Sequence, residues 1–302
     1  MKKNIVSIVM NCHNGEKYLC EALNSIIKQS YKNWELIFFD NASNDNSSHI
    51  VKNFHDKRIK YYYSKYVSLG TARKKALDLC RGQFVTFLDC DDYWDKDKLK
   101  LQVNELKKYP DVGVSFSNSY FLKKNKKKLL YTSKPIDGLV FENLLKKYYI
   151  SFDTIILKKF FLDQLRHKFD RKFNIIHDLD LLIRLSMITK FKYIDKPLSF
   201  WRIHENSFSQ NKISIINKEK KIFLKKLKHI IKNKKDKKKL INFFQLNLNH
   251  SLIEEYIVNR NVNKFFKLFF KIKNYNIKNI ILFFFAAFPG GQFLYKKFKK
   301  SW

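Results

Sequence analysis

Glycine and proline are scarce in this chain of 302 residues, at seven and four. No glycine falls in a Gly-x-Gly-x-x-Gly fingerprint or a P-loop, which argues against a Rossmann dinucleotide site and a Walker NTPase. The four cysteines, Cys12, Cys20, Cys80 and Cys90, form no Cys-x-x-Cys pair and no zinc spacing, and they read as reduced core thiols. Long apolar runs are missing too. The N-terminal run ends at polar Asn11 and His13, too short for a signal peptide. The longest run, Ile280 to Phe288, is nine residues, against the roughly twenty of a spanning helix. Neither secretion nor a membrane span is therefore expected. Acidic residues are few, 27 against 61 Lys and Arg, for a formal charge of +34.

That charge calls for a polyanionic partner: nucleic acid, an anionic membrane or a phosphate-bearing substrate. It is concentrated late in the chain, with a net +19 over residues 211–302 and +15 over residues 1–210. With 45% hydrophobic and 16% aromatic residues the chain is not disordered, and its length allows one large or two smaller domains. We divide it into a catalytic domain over 1–210 and a basic, aromatic-rich helical region over 211–302. No zinc finger, helix-turn-helix or aromatic RNA-binding motif is present, so no nucleic-acid partner is expected.

The organising stretch is Phe84-Val85-Thr86-Phe87-Leu88-Asp89-Cys90-Asp91-Asp92-Tyr93-Trp94. Dense β-formers predict a buried strand of a parallel sheet that ends in three carboxylates within four positions. Carboxylates crowded at a strand end repel one another and call for a cation, and oxygen ligation suits Mg²⁺ or Mn²⁺. The competing reading is a helix N-terminus capped by Asp92 or Asp95.

Around this stretch the hydrophobic period alternates. Strands are predicted at Ile5–Met10, Trp34–Phe39, Ile59–Tyr63 and 83–88, with helices from Glu16, over 46–54 and from Gly70. This β-α-β-α-β-α-β order predicts a doubly wound, mostly parallel sheet. The polar segments 11–14, 40–43 and 89–92 then share one sheet edge, where open α/β sheets bind ligands. A helix over 95–108 and strand pieces at 112–122 follow, with a basic hairpin-like insertion over 123–128 whose lysines read as a solvated turn. Residues 139–166 are expected to build an acceptor-side wall. Asp178 opens an apolar helix, either pointing into a cleft or serving as its N-cap. A strand at Phe191–Asp195 leads to a loop in which Arg202 and His204 can share a face and grip phosphate. Beyond residue 211, helices are expected at 218–232 and 240–258, then around Phe265–Phe270 and Ile280–Phe288. These phenylalanines suit either a helical bundle or a helix in an anionic membrane interface.

Together the segments over roughly 4–208 resemble the family 2 glycosyltransferases, inverting enzymes of GT-A (Rossmann-like) fold that use nucleotide-diphosphate sugars. Val6-Ser7-Ile8-Val9-Met10-Asn11-Cys12-His13-Asn14-Gly15 looks like the family's first strand and turn, with Asn11 and His13 where small hydroxyl and Tyr residues are common. Asp40-Asn41-Ala42-Ser43 resembles the loop that contacts uracil or ribose, with Asn41 replacing a carboxylate. Gly70-Thr71-Ala72-Arg73 matches the basic position near the base and diphosphate. Asp89-Cys90-Asp91-Asp92 matches the Asp-x-Asp-type segment, and His177-Asp178 the Glu-Asp pair that supplies the base. The resemblance implies Asp178 as catalytic base. It places Asn11, His13, Asn41, Arg73, Asp89, Asp91 and Arg202 at the nucleotide-sugar, and Asp91, Asp92 and His204 at a divalent Mn²⁺ or Mg²⁺. It further implies a nucleotide-diphosphate sugar donor, with a UDP-sugar favoured and dTDP left open, a glycan or lipid-linked acceptor in surface-glycan assembly, and a cytoplasmic enzyme peripheral to the inner face of the cytoplasmic membrane. The alternatives are a nucleic-acid-binding protein on charge alone, or a metal-dependent nucleotidyltransferase, which would want a Gly-rich loop after the first strand.

Overall fold

Four apolar runs become parallel strands: β1 (Lys2–Cys12), β2 (Trp34–Asn41), β3 (Ile59–Ser64) and β4 (Gly82–Phe87), in the order β3-β2-β1-β4. They are joined by α1 (Glu16–Ile27), α2 (Ser47–Lys52) and α3 (Leu69–Asp78). The computed structural model describes residues 2–123, 126–204, 212–271, 286, 294 and 295. They fall into two compact units, Met1–Leu144 with Tyr148–Phe208, and Leu145–Lys147 with Ser209–Trp302.

In the first unit the sheet continues through β5 (Tyr93–Trp94), β6 (Val112–Lys123), β7 (Lys126–Leu129), β8 (Ile156–Lys158) and β9 (Lys190–Arg202). The order beyond β4 is β8-β6-β9-β5, with β7 paired to β6. Here β4–β8, β8–β6 and β9–β5 are antiparallel, while β6–β9 is parallel. The sheet is therefore the mixed α/β sheet of the expected fold class. One face packs α1 and α4 (Lys98–Lys108): Leu19, Leu23 and Ile26 meet Ile8, Met10 and Phe38, together with Leu99, Val103 and Leu106. Each such buried side chain contributes roughly 1.5–3 kcal/mol.

The parallel pairing sets the site. Cys12 lies opposite Asp40, and Val9 opposite both Ile37 and Phe87, so the loops after β1, β2 and β4 emerge along one edge. Three local details go beyond the sequence pattern. Helix α4 starts at Lys98 with Asp97 as its N-cap residue, whereas the carboxylate of Asp95 accepts the Asp97 amide one step earlier. The basic run is a lysine-lined hairpin, because Lys126–Leu129 pairs with Tyr120–Lys123; lysines on an edge strand discourage pairing with other chains. Strand β9 also runs on through Pro197, which faces Asn118 between two register shifts. Proline cannot donate to a ladder and is tolerated at such irregularities.

The first unit also carries α6 (Lys159–Asp163) and α7 (His177–Leu185); α5 (Phe141–Lys146) precedes Tyr148 in the chain, and its last residues, Leu145 and Lys146, count with the second unit. In the second unit α8 (Ile213–Ile230) packs on α9 (Lys237–Val258) through Phe223 and Phe244, whose ring centroids are 5.0 Å apart. Phe265 and Phe269 of α10 (Val262–Phe269) are buried with Ile253 and Ile257, while Phe270 is 71% exposed. Apart from Ala286, the run Ile280–Phe288 lies outside the described residues. Among the described residues no helix is long and apolar enough to cross a membrane.

Candidate active site

The loops after β1 and β2 are built to hold each other. Asn14 takes a positive φ of 56°, and Ala42 one of 63°, turning both chains out of the sheet. The Asn14 amide donates to Ser43 Oγ (3.1 Å), and the Asn44 amide donates to Asn14 Oδ1 (2.9 Å). Gly15 donates to Ser47 Oγ at 2.9 Å, and the Asn46 amide donates to Glu16 Oε2 at 2.9 Å. His13 is exposed at this edge, with Nδ1 3.0 Å from the Asn41 carbonyl and its ring edge-on to Tyr66 at 5.1 Å. Asn41 is buried, and its amide clamps Val67 from both sides: Nδ2 donates to the Val67 carbonyl at 2.8 Å, and Oδ1 accepts the Val67 N–H at 3.0 Å. One N–H and one lone pair of that amide are left for a ligand. Asn11 is 8% exposed, and among the described residues neither its Oδ1 nor its Nδ2 has a hydrogen-bond partner. An orphaned buried amide is costly and points to a missing partner.

The acidic turn after β4 brings Asp89, Asp91, Arg202 and His204 together. Asp91 Oδ2 lies 2.9 Å from His204 Nε2. Burial and the charge of Asp89 push the Asp91 carboxyl above its ordinary value, and His204 pulls it back. Asp92 is almost fully buried, and its Oδ1 accepts the backbone N–H of Arg202 at 2.8 Å, pinning the end of β9 to the turn. Burial and then Asp91 push its carboxyl far up. The Arg202 guanidinium donates to the Asp91 carbonyl and to Glu21 Oε2 of α1, both at 2.6 Å, and lies over the Tyr18 ring at 4.2 Å.

Arg73 of α3 joins the acidic turn to α7. Its Nη2 donates to Asp89 Oδ1 at 2.5 Å and its Nη1 to His177 Nε2. Burial and the Arg73 charge push His177 well below its ordinary value, so the imidazole is neutral. It accepts from Arg73 at Nε2 and donates from Nδ1 to the Asn174 carbonyl at 3.1 Å. Asp178 follows as the second residue of α7, one place inside a helix whose N-cap residue is Ile176. Its Oδ1 accepts the Leu179 amide at 2.8 Å, and its Oδ2 accepts the phenol of Tyr148 at 3.0 Å. Burial raises this carboxyl, while the Leu179 amide, the Arg73 charge and the Tyr148 hydroxyl pull it down. A half-buried carboxylate that stays basic is suited to taking a proton.

Sequence reasoning missed Tyr148, Glu21 and Tyr18 as parts of this cluster. Tyr18 and Glu21 lie one turn apart near the start of α1, but their partner Arg202 is a tertiary neighbour, as Asp178 is for Tyr148.

The chain matches the glycosyl transferase family 2 model over residues 7–166. It is 28% identical over 224 residues to the Escherichia coli UDP-Glc:alpha-D-GlcNAc-diphosphoundecaprenol beta-1,3-glucosyltransferase WfgD, covering 72% of this chain and 85% of that protein. It resembles TarS of S. aureus in complex with UDP-GlcNAc with a TM-score of 0.65 at 20% identity, covering 82% of this chain and 72% of that one. It also resembles the mannosyltransferase PcManGT of Pyrobaculum calidifontis in complex with GDP-Man and Mn2+, with a TM-score of 0.59 at 16% identity, over 82% and 71% of the two chains. The sheet, the acidic turn at its edge and the family match over more than half the chain agree: this protein belongs to glycosyl transferase family 2 and is a glycosyltransferase.

Proposed function

We propose that residues 1–210 transfer a sugar, with inversion, from a UDP-sugar to a hydroxyl of a lipid-linked glycan, with Asp178 as the base. The observation that carries this reading is Arg73, which grips Asp89 with one nitrogen and the residue before Asp178 with another. One guanidinium thus ties the acidic, donor-side turn to the carboxylate across the cleft. Asn11, His13 and Asn41 line the nucleoside end, where the orphaned Asn11 amide awaits partners. Arg73, Asp89 and Arg202 hold the ribose and diphosphate.

The donor set fits a hard divalent ion. Asp91 and His204 converge within hydrogen-bond distance, beside the negative charge of Asp89. Among the described residues no three His, Cys, Asp or Glu side chains form a closed cage, so phosphate oxygens and water would supply the remaining ligands. Asp91 and His204 would hold the ion, with Asp92 bracing them from below through Arg202. When bound, Mn²⁺ or Mg²⁺ neutralises charge on the leaving diphosphate. Asp178 accepts the proton of the acceptor hydroxyl as its oxygen attacks the anomeric carbon, and the diphosphate departs on the opposite face. The Arg73 charge, which neutral His177 does not offset, pulls the Asp178 carboxyl down against the rise that burial imposes.

The relative WfgD acts, by its name, on a diphosphoundecaprenol-linked sugar, which favours a lipid-linked acceptor here as well. The net +19 of residues 211–302 suits anionic headgroups, and we place the enzyme on the inner face of the cytoplasmic membrane. The test is a thermal-shift series with UDP, dTDP, GDP and CMP, each with and without Mn²⁺, followed by transfer from UDP-glucose to GlcNAc-diphosphoundecaprenol. Metal-dependent stabilisation by UDP in wild type and in Asp178→Asn, with transfer lost only in the variant, is expected. Near-full transfer by Asp178→Asn would overturn the base assignment.

A further inference from the structure

We propose that Tyr148 is a positioning residue for the base: its phenol locks the Asp178 carboxylate plane and directs the acceptor hydroxyl to the open side of Oδ2. The proposal rests on the reading of Asp178 as base and adds a residue to it. An aspartate carboxylate turns easily about its last torsion, so one hydrogen bond leaves it free to swing. Here Oδ1 is held by the Leu179 amide at 2.8 Å and Oδ2 by Tyr148 at 3.0 Å. The two anchors come from different parts of the chain, one from α7 itself and the other from the segment just after α5. Together they fix the plane. Each carboxylate oxygen accepts two hydrogen bonds, so Oδ2 keeps one acceptor position beside the phenol. A hydroxyl that arrives there is within reach of a fixed base rather than a rotating one.

The phenol can only donate. Burial, and then the charge of Asp178, push it far above the ordinary tyrosine value, so it keeps its proton while Asp178 takes one from the acceptor. The charged and titratable groups that act on Asp178 are Arg73 from α3 and Tyr148, with His177 beside Arg73 and Tyr131 facing Tyr148 in turn. His177 is neutral and pinned at both nitrogens, so it cannot replace Tyr148 as a donor to Oδ2.

The experiment titrates the carboxyl itself in the full chain, by ¹³C resonance of γ-labelled aspartate, with Asp178→Asn identifying the signal. Tyr148→Phe keeps the ring and deletes the donor. It should raise the Asp178 pKa by about one unit, the scale of a lost hydrogen bond to a charged group. Site-specific 3-fluorotyrosine at 148, a stronger donor of nearly the same shape, should lower it, and this second variant decides the matter if Tyr148→Phe folds poorly. The acid limb of the transfer-rate profile, with UDP-glucose and GlcNAc-diphosphoundecaprenol, should move with the carboxyl. An Asp178 titration unmoved by either variant refutes the role of Tyr148 alone. A carboxyl that shifts while the rate profile stays still overturns Asp178 as base, and the proposal with it.

Discussion

Gly70→Ala tests how closely α3 must approach the segment that carries Asp178, the proposed base. Gly70 is the second residue of α3, buried against the segment that leads into α7. A Cβ built there collides with the carbonyl oxygen of Phe173 and comes to 3.6 Å from its carbon and 3.8 Å from His177 Cβ. The same approach lets the Leu69 amide donate to Asn174 Oδ1 at 2.9 Å and puts Arg73, one turn on, against His177. Two effects compete. Alanine is better than glycine within a helix by roughly 0.5–1 kcal/mol. Overpacking costs about 1–3 kcal/mol, and a backbone carbonyl cannot rotate aside as a flexible side chain can. The collision should win, for a net loss of about 1–2 kcal/mol, with Tm falling about 2–4 °C per kcal/mol in a chain of this size. Urea unfolding of the two proteins measures it. Transfer should fall further than stability alone explains, because α3 can relieve the collision only by drawing Arg73 away from His177 and Asp178. A variant more stable than wild type, as expected for a helical glycine with open space beside it, would refute the close-approach argument.

Lys98 is fully buried on α4, donates to Gln102 Oε1 at 2.6 Å, and is pushed by burial down to about 7, with Asp153 a partial offset. A lysine with a folded pKa below its unfolded value binds fewer protons when folded, so stability rises with pH between about 7 and 10.5. Lys98→Met should remove that rise, about 2 kcal/mol between pH 7 and 9 in the difference between the urea curves; parallel curves would sink the assignment. His177→Glu sets a carboxylate against Arg73 and cancels charge that now supports Asp178, so the acid limb of transfer should move to higher pH. An unmoved limb means that Arg73 does not tune the base. Asp91→Asn and His204→Ala should each abolish the Mn²⁺-dependent part of UDP stabilisation while leaving the unliganded Tm nearly unchanged. Retention of that part in both variants would locate the ion elsewhere.

The parallel half of the sheet was legible because local patterns dictate it. Leu19, Ala22, Leu23 and Ile26 mark one face of α1 at helical spacing, and the short run of β-formers before Asp89 points to a buried strand. The antiparallel half carries weaker signals. Strand β8 is three residues long and owes its place to pairing with β4 and β6, while β9 runs through a proline that reads locally as a break. The carboxylates and Arg73 stood out because clustered charge at strand and helix ends is unusual by itself. Tyr148 carries no such mark: it sits among residues of ordinary composition and meets Asp178 only when the chain has folded over 30 positions. Asn41 shows the opposite failure, a residue whose place was legible while its present partner, Val67, was not.

The interlocked loops after β1 and β2 also matter for anyone redesigning this enzyme. Asn14 with Ser43 and Asn44, Gly15 with Ser47, and Glu16 with Asn46 link two segments about 30 positions apart into one module. A graft that imports one loop from a relative would strand the amides and carboxylates that the other was meant to meet. Exchange of donor preference between relatives should therefore succeed only when 11–16 and 40–47 are moved as a matched pair.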